Sequence, residues 1–212
     1  MAKMKFTGGL PETPCGAGST LQHTATIRLW LPRLFRELKV ETILDAPCGD
    51  FNWMSHTDLR GLTYIGIDVD PEHCKRAKET NSIKDCKPDR KIIVEHDIVE
   101  KVPSCADLML CRDFWQHLRL ERVHKAVESY IDSDIKWLLC TNFQAAKNED
   151  IAADGMFRPL NVTLPPINFP PPRKMISDGH ARTLALWHRN DLTHRPVKSL
   201  PVHPSRIIEV QK

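Results

Sequence analysis

The stretch Thr42–Trp53 constrains the fold of this chain more than any other part of the sequence. It opens with an apolar run that ends in Asp45, passes through a tight turn with one glycine, Gly49, and then becomes amphipathic. This order of features is typical of a buried strand, a cofactor-binding turn and the beginning of a helix. We therefore expect a ligand where this strand ends.

A second unit of the same kind follows directly. The apolar run of residues 64–67 ends in Asp68, and Pro71 stands at the position where helices often begin. Asp68 lies 19 positions after Gly49. In a strand–turn–helix–strand unit, the acid that binds a ribose follows the glycine turn by about 20 residues. The spacing predicts a nucleoside cofactor at the carboxyl ends of parallel strands.

The rest of the chain continues this alternation. Further strands are predicted at about 91–98, 107–113 and 135–141, and helices at about 20–38, 72–80 and 119–131. Strands that alternate with helices specify a parallel sheet with helices on both faces. Two last strands, 183–188 and 206–210, are joined by a proline-rich connection instead of a helix, which favours antiparallel pairing.

Three predicted strands end in acids, namely Asp45, Asp68 and Asp97. In an open parallel sheet, ligands bind beyond the carboxyl ends of the strands. Asp68 can accept hydrogen bonds from ribose hydroxyls and Asp97 from an adenine amino group, whereas Asp45 either orients the turn or binds an ammonium group through water. Any one of these acids could be an ordinary loop residue, but three acids at successive strand ends favour a ligand-binding site. The motif Gly-x-Gly-x-x-Gly is absent, which counts against a dinucleotide.

Four segments together resemble the class I S-adenosylmethionine-dependent methyltransferases. They are Leu44–Asp50, Gly66–Asp68, His96–Asp97 and Arg112–Leu118, and the resemblance covers about residues 20–141. It implies an α/β fold, a Rossmann-like three-layer sandwich whose seven-stranded, mostly parallel sheet has an antiparallel C-terminal strand.

The resemblance also implies S-adenosylmethionine as cofactor and no metal. In the family, the acid matching Asp68 binds the ribose, the acid matching Asp97 contacts adenine, and the turn matching Asp45–Gly49 lies under the methionine part. In this chain Pro47 and Cys48 replace the small, flexible residues common in that turn. The predicted cofactor-binding residues are Arg28, Asp45, Pro47, Cys48, Gly49, Trp53, Asp68, Val69, Asp97, Ile98, Arg112 and Asp113.

Residues after the fourth strand face the transferred methyl group in this family, and two of them are candidate catalytic residues. His117 suits the role of a base for a hydroxyl or amine acceptor, because the ordinary pKa of a histidine is near 6.5. Asp113 either orients His117 or acts itself. In the alternative interpretation, His117 packs above the cofactor and moves no proton.

Residues 1–212 are predicted to form a single domain with two flanking parts. In residues 1–40, a loop and a helix are expected to cover the cofactor, with Arg28 either reaching an anionic group there or facing solvent. The segment 143–180 is proline-rich, and its prolines exclude helix and central strand. We expect an extended surface segment on the substrate side, either a lid that shapes the acceptor pocket or a structural strap.

Composition and sequence motifs exclude or disfavour several classes of function. The formal net charge is +3 without a basic block, and no Asn/Asp-Pro-Pro-aromatic motif follows the fourth strand, so nucleic acid is a disfavoured partner. Cys48 lies in the cofactor turn, where it cannot act as a nucleophile on a base. The seven cysteines are scattered without a Cys-x-x-Cys pair, which indicates reduced thiols in a cytoplasmic protein. No apolar run of about 18 residues occurs, so no membrane span is predicted.

The sequence thus predicts a methyltransferase that uses S-adenosylmethionine to methylate an oxygen or nitrogen of a small molecule or glycan by direct in-line transfer. Two main alternatives remain. One is a methyltransferase acting on DNA or RNA, and the other is a nucleoside-binding module without transfer activity. Transfer of a different group from a modified sulfonium is a third.

Overall fold

The computed structural model describes residues 12–179 and 181–193, and these residues confirm the predicted fold class. The strands are β1 (Thr42–Asp45), β2 (Thr63–Asp68), β3 (Arg90–Glu95), β4 (Leu108–Cys111), β5 (Trp137–Phe143), β6 (Lys174–Ser177) and β7 (Arg182–His188). They form one sheet in the order β3-β2-β1-β4-β5-β7-β6. The first five strands pair in parallel, and β7 runs antiparallel to both of its neighbours.

The three predicted helices are present, near the predicted positions. The α-helices are α1 (Ala25–Leu38), α2 (Pro71–Glu79), α3 (Leu120–Ile131) and a short α4 (Arg189–Leu192), and single 3₁₀ turns occur at Ala17–Ser19, Met54–His56 and Trp115–His117. The start of α2 shows why the sequence begins a helix there. Pro71 occupies the first turn, and the Asp70 carboxylate accepts a hydrogen bond of 2.8 Å from the Glu72 backbone N–H.

Two apolar layers hold the helices against the sheet. Successive residues of a strand point to opposite faces, so Ile43 joins the cluster that contains Ile27 and Leu31 of α1, whereas Leu44 joins the cluster that contains Val123 and Val127 of α3. All six side chains are fully buried or nearly so. The resulting three-layer sandwich leaves the carboxyl ends of β1, β2 and β4 free to build a site.

The proline-rich segment is packed into the molecule. Four of its apolar side chains are buried in the cluster on the α3 side: Leu160, Val162, Ile167 and Phe169. The Trp187 indole N–H of β7 donates a hydrogen bond of 2.8 Å to the Pro170 carbonyl. These contacts favour the structural strap over the lid for residues 160–172.

The sequence interpretation missed β6, which follows directly after the prolines. It is four residues long, lies at the sheet edge and is mostly exposed, so it lacks the apolar run that marks a buried strand. A turn at Gly179, which has a φ of 75°, brings it beside β7, and the Arg182 N–H donates to the Gly179 carbonyl at 3.0 Å. The predicted strand 206–210 lies outside the described residues.

Asp107 supports the amino-terminal end of β1, which lies at the opposite end of the strands from their carboxyl ends. Its Oδ2 atom accepts hydrogen bonds from the backbone N–H groups of Glu41 at 2.9 Å and Thr42 at 3.0 Å, where β1 begins. We expect Asp107→Ala to lower the free energy of unfolding by about 1–3 kcal/mol, because two backbone donors lose their acceptor. Urea denaturation measures this change.

Asp107→Asn serves as the graded control for this experiment. The amide retains one acceptor oxygen, so its loss of stability should be smaller than that of the alanine variant. An Asp107→Ala protein that unfolds at the wild-type urea midpoint would contradict the stabilising role of these two hydrogen bonds.

Candidate active site

A cavity of about 330 Å³ lies at the carboxyl ends of β1, β2 and β4. Between β1 and β4 the strand order changes direction, and open α/β sheets bind ligands at such a switch point. Most of the residues that the sequence singled out line this cavity: Asp45, Pro47, Cys48, Gly49, Trp53, Asp68, Val69, Arg112, Asp113 and His117.

The turn after β1 is tied to the end of β2. Gly49 has a φ of 55°, a conformation that side chains disfavour, and its N–H donates a hydrogen bond of 2.9 Å to Asp68 Oδ2. The Cys48 N–H donates to the Ile67 carbonyl at 2.8 Å. Asp68 Oδ1 in turn accepts from the Asp70 N–H at 2.9 Å. The turn and the predicted ribose-binding acid therefore form one rigid unit.

An N-terminal loop, residues 13–20, covers this unit from above. A Cβ atom added to Gly49 would lie only 2.8 Å from Cys15 Sγ, and one added to Gly18 would lie 2.7 Å from Asp113 Oδ2. The Asn52 side-chain amide donates to the Ser19 carbonyl at 3.1 Å. The close approach explains why Gly18 and Gly49 carry no side chain, and it makes this loop the roof of the cavity.

Asp45 forms the floor of the cavity and is only 2% exposed. Its Oδ2 atom accepts a hydrogen bond of 2.6 Å from the Tyr64 hydroxyl. Burial raises the pKa of Asp45 to about 7, against the opposing effects of the tyrosine hydrogen bond and the nearby Arg112 charge. The charge of the cavity floor therefore changes near neutral pH.

His73 of α2 is a cavity residue that the sequence interpretation missed. Its Nδ1 atom lies 3.6 Å from Asp68 Oδ1, and this carboxylate raises the pKa of His73 to about 10. The imidazole is consequently protonated at neutral pH. Its position five residues after the second strand-end acid, Asp68, would have been the available signal, but a lone histidine on a helix is common.

A network of four charged side chains closes the other end of the cavity. Arg112 donates from Nε and Nη2 to the two oxygens of Asp178 at 2.9 and 3.0 Å. Arg182 Nη1 donates to Asp113 Oδ2 at 2.6 Å, and the Gln116 amide donates to Asp113 Oδ1 at 2.8 Å. Because both oxygens of Asp113 accept hydrogen bonds, this carboxylate is suited to be a fixed anion and not a proton acceptor.

His117 lies at the mouth of the cavity. Its Nδ1 atom is 3.1 Å from the Met156 carbonyl oxygen, and since a carbonyl only accepts, Nδ1 carries the proton and Nε2 the lone pair. Burial lowers the pKa of His117 from its usual 6.5, so the ring is neutral at pH 7. The ring centroid of Phe157 lies 5.8 Å from that of His117 and 5.7 Å from that of Phe143, which makes the mouth aromatic.

Three predicted cofactor contacts lie outside the residues that line the cavity. The Asp97 carboxylate pairs with Arg122 Nη2 at 2.9 Å, and Ile98 is buried in the cluster on the α3 side. The Arg28 side chain points back to the turn that precedes α1, where Nη2 donates to the Leu21 carbonyl at 2.9 Å. Asp97 and Ile98 lie away from the cavity because they follow β3, which is the edge strand and is separated from β1 by β2.

Neither a metal centre nor a membrane helix is found within the described ranges. No group of three or more histidine, cysteine, aspartate or glutamate side chains there could hold a metal ion. The helices of residues 12–179 and 181–193 are each too short or too polar to cross a membrane.

Comparison with known proteins finds similar structures but no similar sequences. No family model and no curated protein sequence matches the chain. Magnesium protoporphyrin IX methyltransferase from Synechocystis PCC 6803 with bound S-adenosylmethionine matches with a TM-score of 0.56 at 12% identity, over 88% of each chain. TnmH matches with a TM-score of 0.59 at 12% identity, over 78% of this chain and 55% of TnmH.

CalO1, a methyltransferase of calicheamicin biosynthesis bound to S-adenosylhomocysteine, matches with a TM-score of 0.53 at 15% identity. The match covers 83% of this chain and 62% of CalO1, so the chain spans a little over half the length of CalO1 and TnmH. Identities this low carry information about the fold alone. Together with the observed strand order, they show that the chain has the fold of the class I S-adenosylmethionine-dependent methyltransferases.

Proposed function

We propose that this protein is a methyltransferase that uses S-adenosylmethionine to methylate an oxygen or nitrogen of a small molecule. The observation that carries the proposal is the unit of Gly49 and Asp68 beside the switch point of the sheet, where a carboxylate is held by backbone donors in the wall of a covered cavity. Magnesium protoporphyrin IX methyltransferase and CalO1, whose names indicate small-molecule methylation, support this acceptor class over a glycan.

The donors and acceptors of the cavity fit the adenosyl part of the cofactor. Asp68 Oδ2 accepts one backbone hydrogen bond and retains a second lone pair for a ribose hydroxyl, whereas Oδ1 accepts one from the Asp70 N–H and also pairs with the charged His73 imidazole. Val69 beside it is 44% exposed and offers an apolar surface to a flat base. The cavity volume of about 330 Å³ is in the range of small-ligand pockets.

Pro47, Cys48 and Asp45 would then lie beneath the methionine part, as the family resemblance implies. Asp97, Ile98 and Arg28 are left out of the proposed cofactor site, because their side chains are engaged elsewhere. When bound, the cofactor supplies an electrophilic methyl carbon on a sulfonium.

The chain's own contribution to the reaction is to orient, to exclude water and to accept one proton. The roof formed by residues 13–20 covers the cavity, and a covered site strengthens every electrostatic interaction within it. His117 is neutral and has its lone pair on Nε2, so it can take a proton from an acceptor hydroxyl or amine. Asp113, fixed by Arg182 and Gln116, stabilises the imidazolium that forms by its nearby charge.

A cytoplasmic location remains a prediction from the cysteines. All seven are free thiols, in keeping with a reducing compartment.

Asp68→Ala tests the cofactor site. We expect the affinity for S-adenosylhomocysteine to fall on the order of 100-fold, because hydrogen bonds to a charged acceptor are lost and the Gly49 turn is released. Isothermal titration calorimetry measures the affinity. Asp89→Ala is the matched control, since Asp89 accepts from the Gly61 N–H away from the cavity and should leave binding unchanged. If the Asp68→Ala protein is folded and binds as the wild type does, the cofactor proposal is wrong.

His117→Asn tests the base. With an acceptor found by screening transfer of a labelled methyl group, kcat should fall about 100-fold or more, while affinity for S-adenosylhomocysteine should change little. The wild-type pH profile should lose activity as the pH falls through a pKa below 6.5, since only neutral His117 accepts a proton, and the variant should lack this acid limb.

His96→Asn is the control for the base, because His96 lies outside the cavity and bonds the Lys101 carbonyl. A His117→Asn enzyme with an unaltered pH profile would instead support the packing role. Binding of S-adenosylhomocysteine without transfer to any acceptor would favour the nucleoside-binding module.

A further inference from the structure

Phe157 is a large aromatic residue that stays mostly in water at the mouth of the cavity. It is 58% exposed and belongs to the residues that line the cavity. A single apolar side chain on an open surface is common and needs no explanation. A ring left open in the wall of a cavity is different, because ligand pockets are lined mainly by apolar and aromatic side chains.

The segment that carries Phe157 is fixed on both sides of this residue. The Gly155 N–H donates a hydrogen bond of 2.7 Å to the His117 carbonyl, and the Arg158 N–H donates one of 3.1 Å to the Gln116 carbonyl. These bonds attach the backbone to the turn that follows β4. The ring is therefore held in place by its backbone, while most of its surface remains open.

Two other rings border Phe157 without stacking on it. The ring plane of Phe143 is inclined by 75° to that of Phe157, and the plane of His117 by 53°. Aromatic pairs also favour an offset parallel arrangement, which neither neighbour adopts with Phe157. A flat ligand ring can supply this arrangement on the exposed surface of Phe157.

The polar side chains at this end of the cavity are engaged with one another. In the network of four charged side chains, two arginines and two aspartates cancel in formal charge. Asp113 already accepts hydrogen bonds from Arg182 and from Gln116. A sugar would bring several hydroxyl groups that each need a partner when they leave water. An uncharged, flat compound with few polar groups fits this end of the cavity better.

The proton chemistry of His117 favours a hydroxyl group on an aromatic ring. Burial lowers the pKa of His117 below its usual 6.5, so the imidazole is a weak base. A phenolic hydroxyl has an ordinary pKa of about 10, as in the side chain of tyrosine. A hydroxyl on saturated carbon is far less acidic. A weak base therefore removes the proton of a phenol much more readily than that of a sugar hydroxyl.

We propose that the methyl acceptor is an uncharged, flat aromatic compound whose ring lies against Phe157 and whose ring hydroxyl faces His117. The inference rests on the proposed function and names its substrate class. In the transfer, the phenolic oxygen bonds to the methyl carbon, and the carbon–sulfur bond breaks with its electron pair going to sulfur. The phenolic proton goes to His117. The products are an aryl methyl ether, a neutral thioether and an imidazolium.

Phe157→Ala tests the inference by binding alone. Two flat phenols, 2-naphthol and 6-hydroxyquinoline, are titrated by calorimetry into the protein saturated with S-adenosylhomocysteine. We expect at least one of them to bind the wild type and its affinity to fall about tenfold or more in the variant, because the stacked ring is lost. Phe157→Tyr keeps the flat ring and should retain the affinity. Met175→Ala is the matched control, since Met175 is 61% exposed on β6, outside the cavity lining.

Methyl glucoside, titrated in the same way, represents the sugar alternative. The inference is overturned if the wild type binds neither phenol, if Phe157→Ala binds the phenols as the wild type does, or if the glucoside binds more tightly than both phenols. Phe157→Leu repeats the test should the alanine variant have a reduced urea midpoint. A wild type that binds no S-adenosylhomocysteine refutes the proposed function instead, and titration of the phenols into the free protein then decides whether Phe157 binds a flat ring.

Discussion

The hydrogen bond from the Gly49 N–H to Asp68 Oδ2 is the interaction on which the site depends. It joins the ends of two adjacent parallel strands, and the bond from the Cys48 N–H to the Ile67 carbonyl reinforces it. The left-handed φ of Gly49 turns its N–H toward Asp68, while the missing side chain lets Cys15 approach from the roof. One residue therefore connects the sheet, the acid and the covering loop.

The end of the cavity near β4 and β7 is built differently, from long side chains that extend toward each other from these two strands. Arg112 follows β4 and Arg182 begins β7, yet their guanidinium groups meet Asp113 and Asp178 in one buried network. Desolvation makes such charges costly unless each finds partners, so the network stays rigid. The network therefore gives the cavity one fixed wall.

The fold class and most of the residues that line the cavity could be predicted from the sequence. The positions of Asp45, Gly49 and Asp68 follow from local patterns, because each stands at a strand end that a single apolar run defines. The surroundings of Asp97 could not be predicted in this way. Asp97 occupies the corresponding place after β3, but β3 lies at the sheet edge and the carboxylate pairs with Arg122. The sequence did not reveal the short, exposed β6, because an edge strand needs no apolar pattern.

The sequence by itself determined the alternation of strands and helices, the glycine turn and the spacing to its acid, since these depend on residues close together along the chain. Only the tertiary structure decided that Cys15 and Gly18 form the roof, that Asp178 and Arg182 join Asp113, and that residues 160–172 pack against the α3 side of the sheet. Those contacts join residues distant in sequence, and they exist because the order of strands in the sheet, which no local pattern encodes, brings their ends to the same edge.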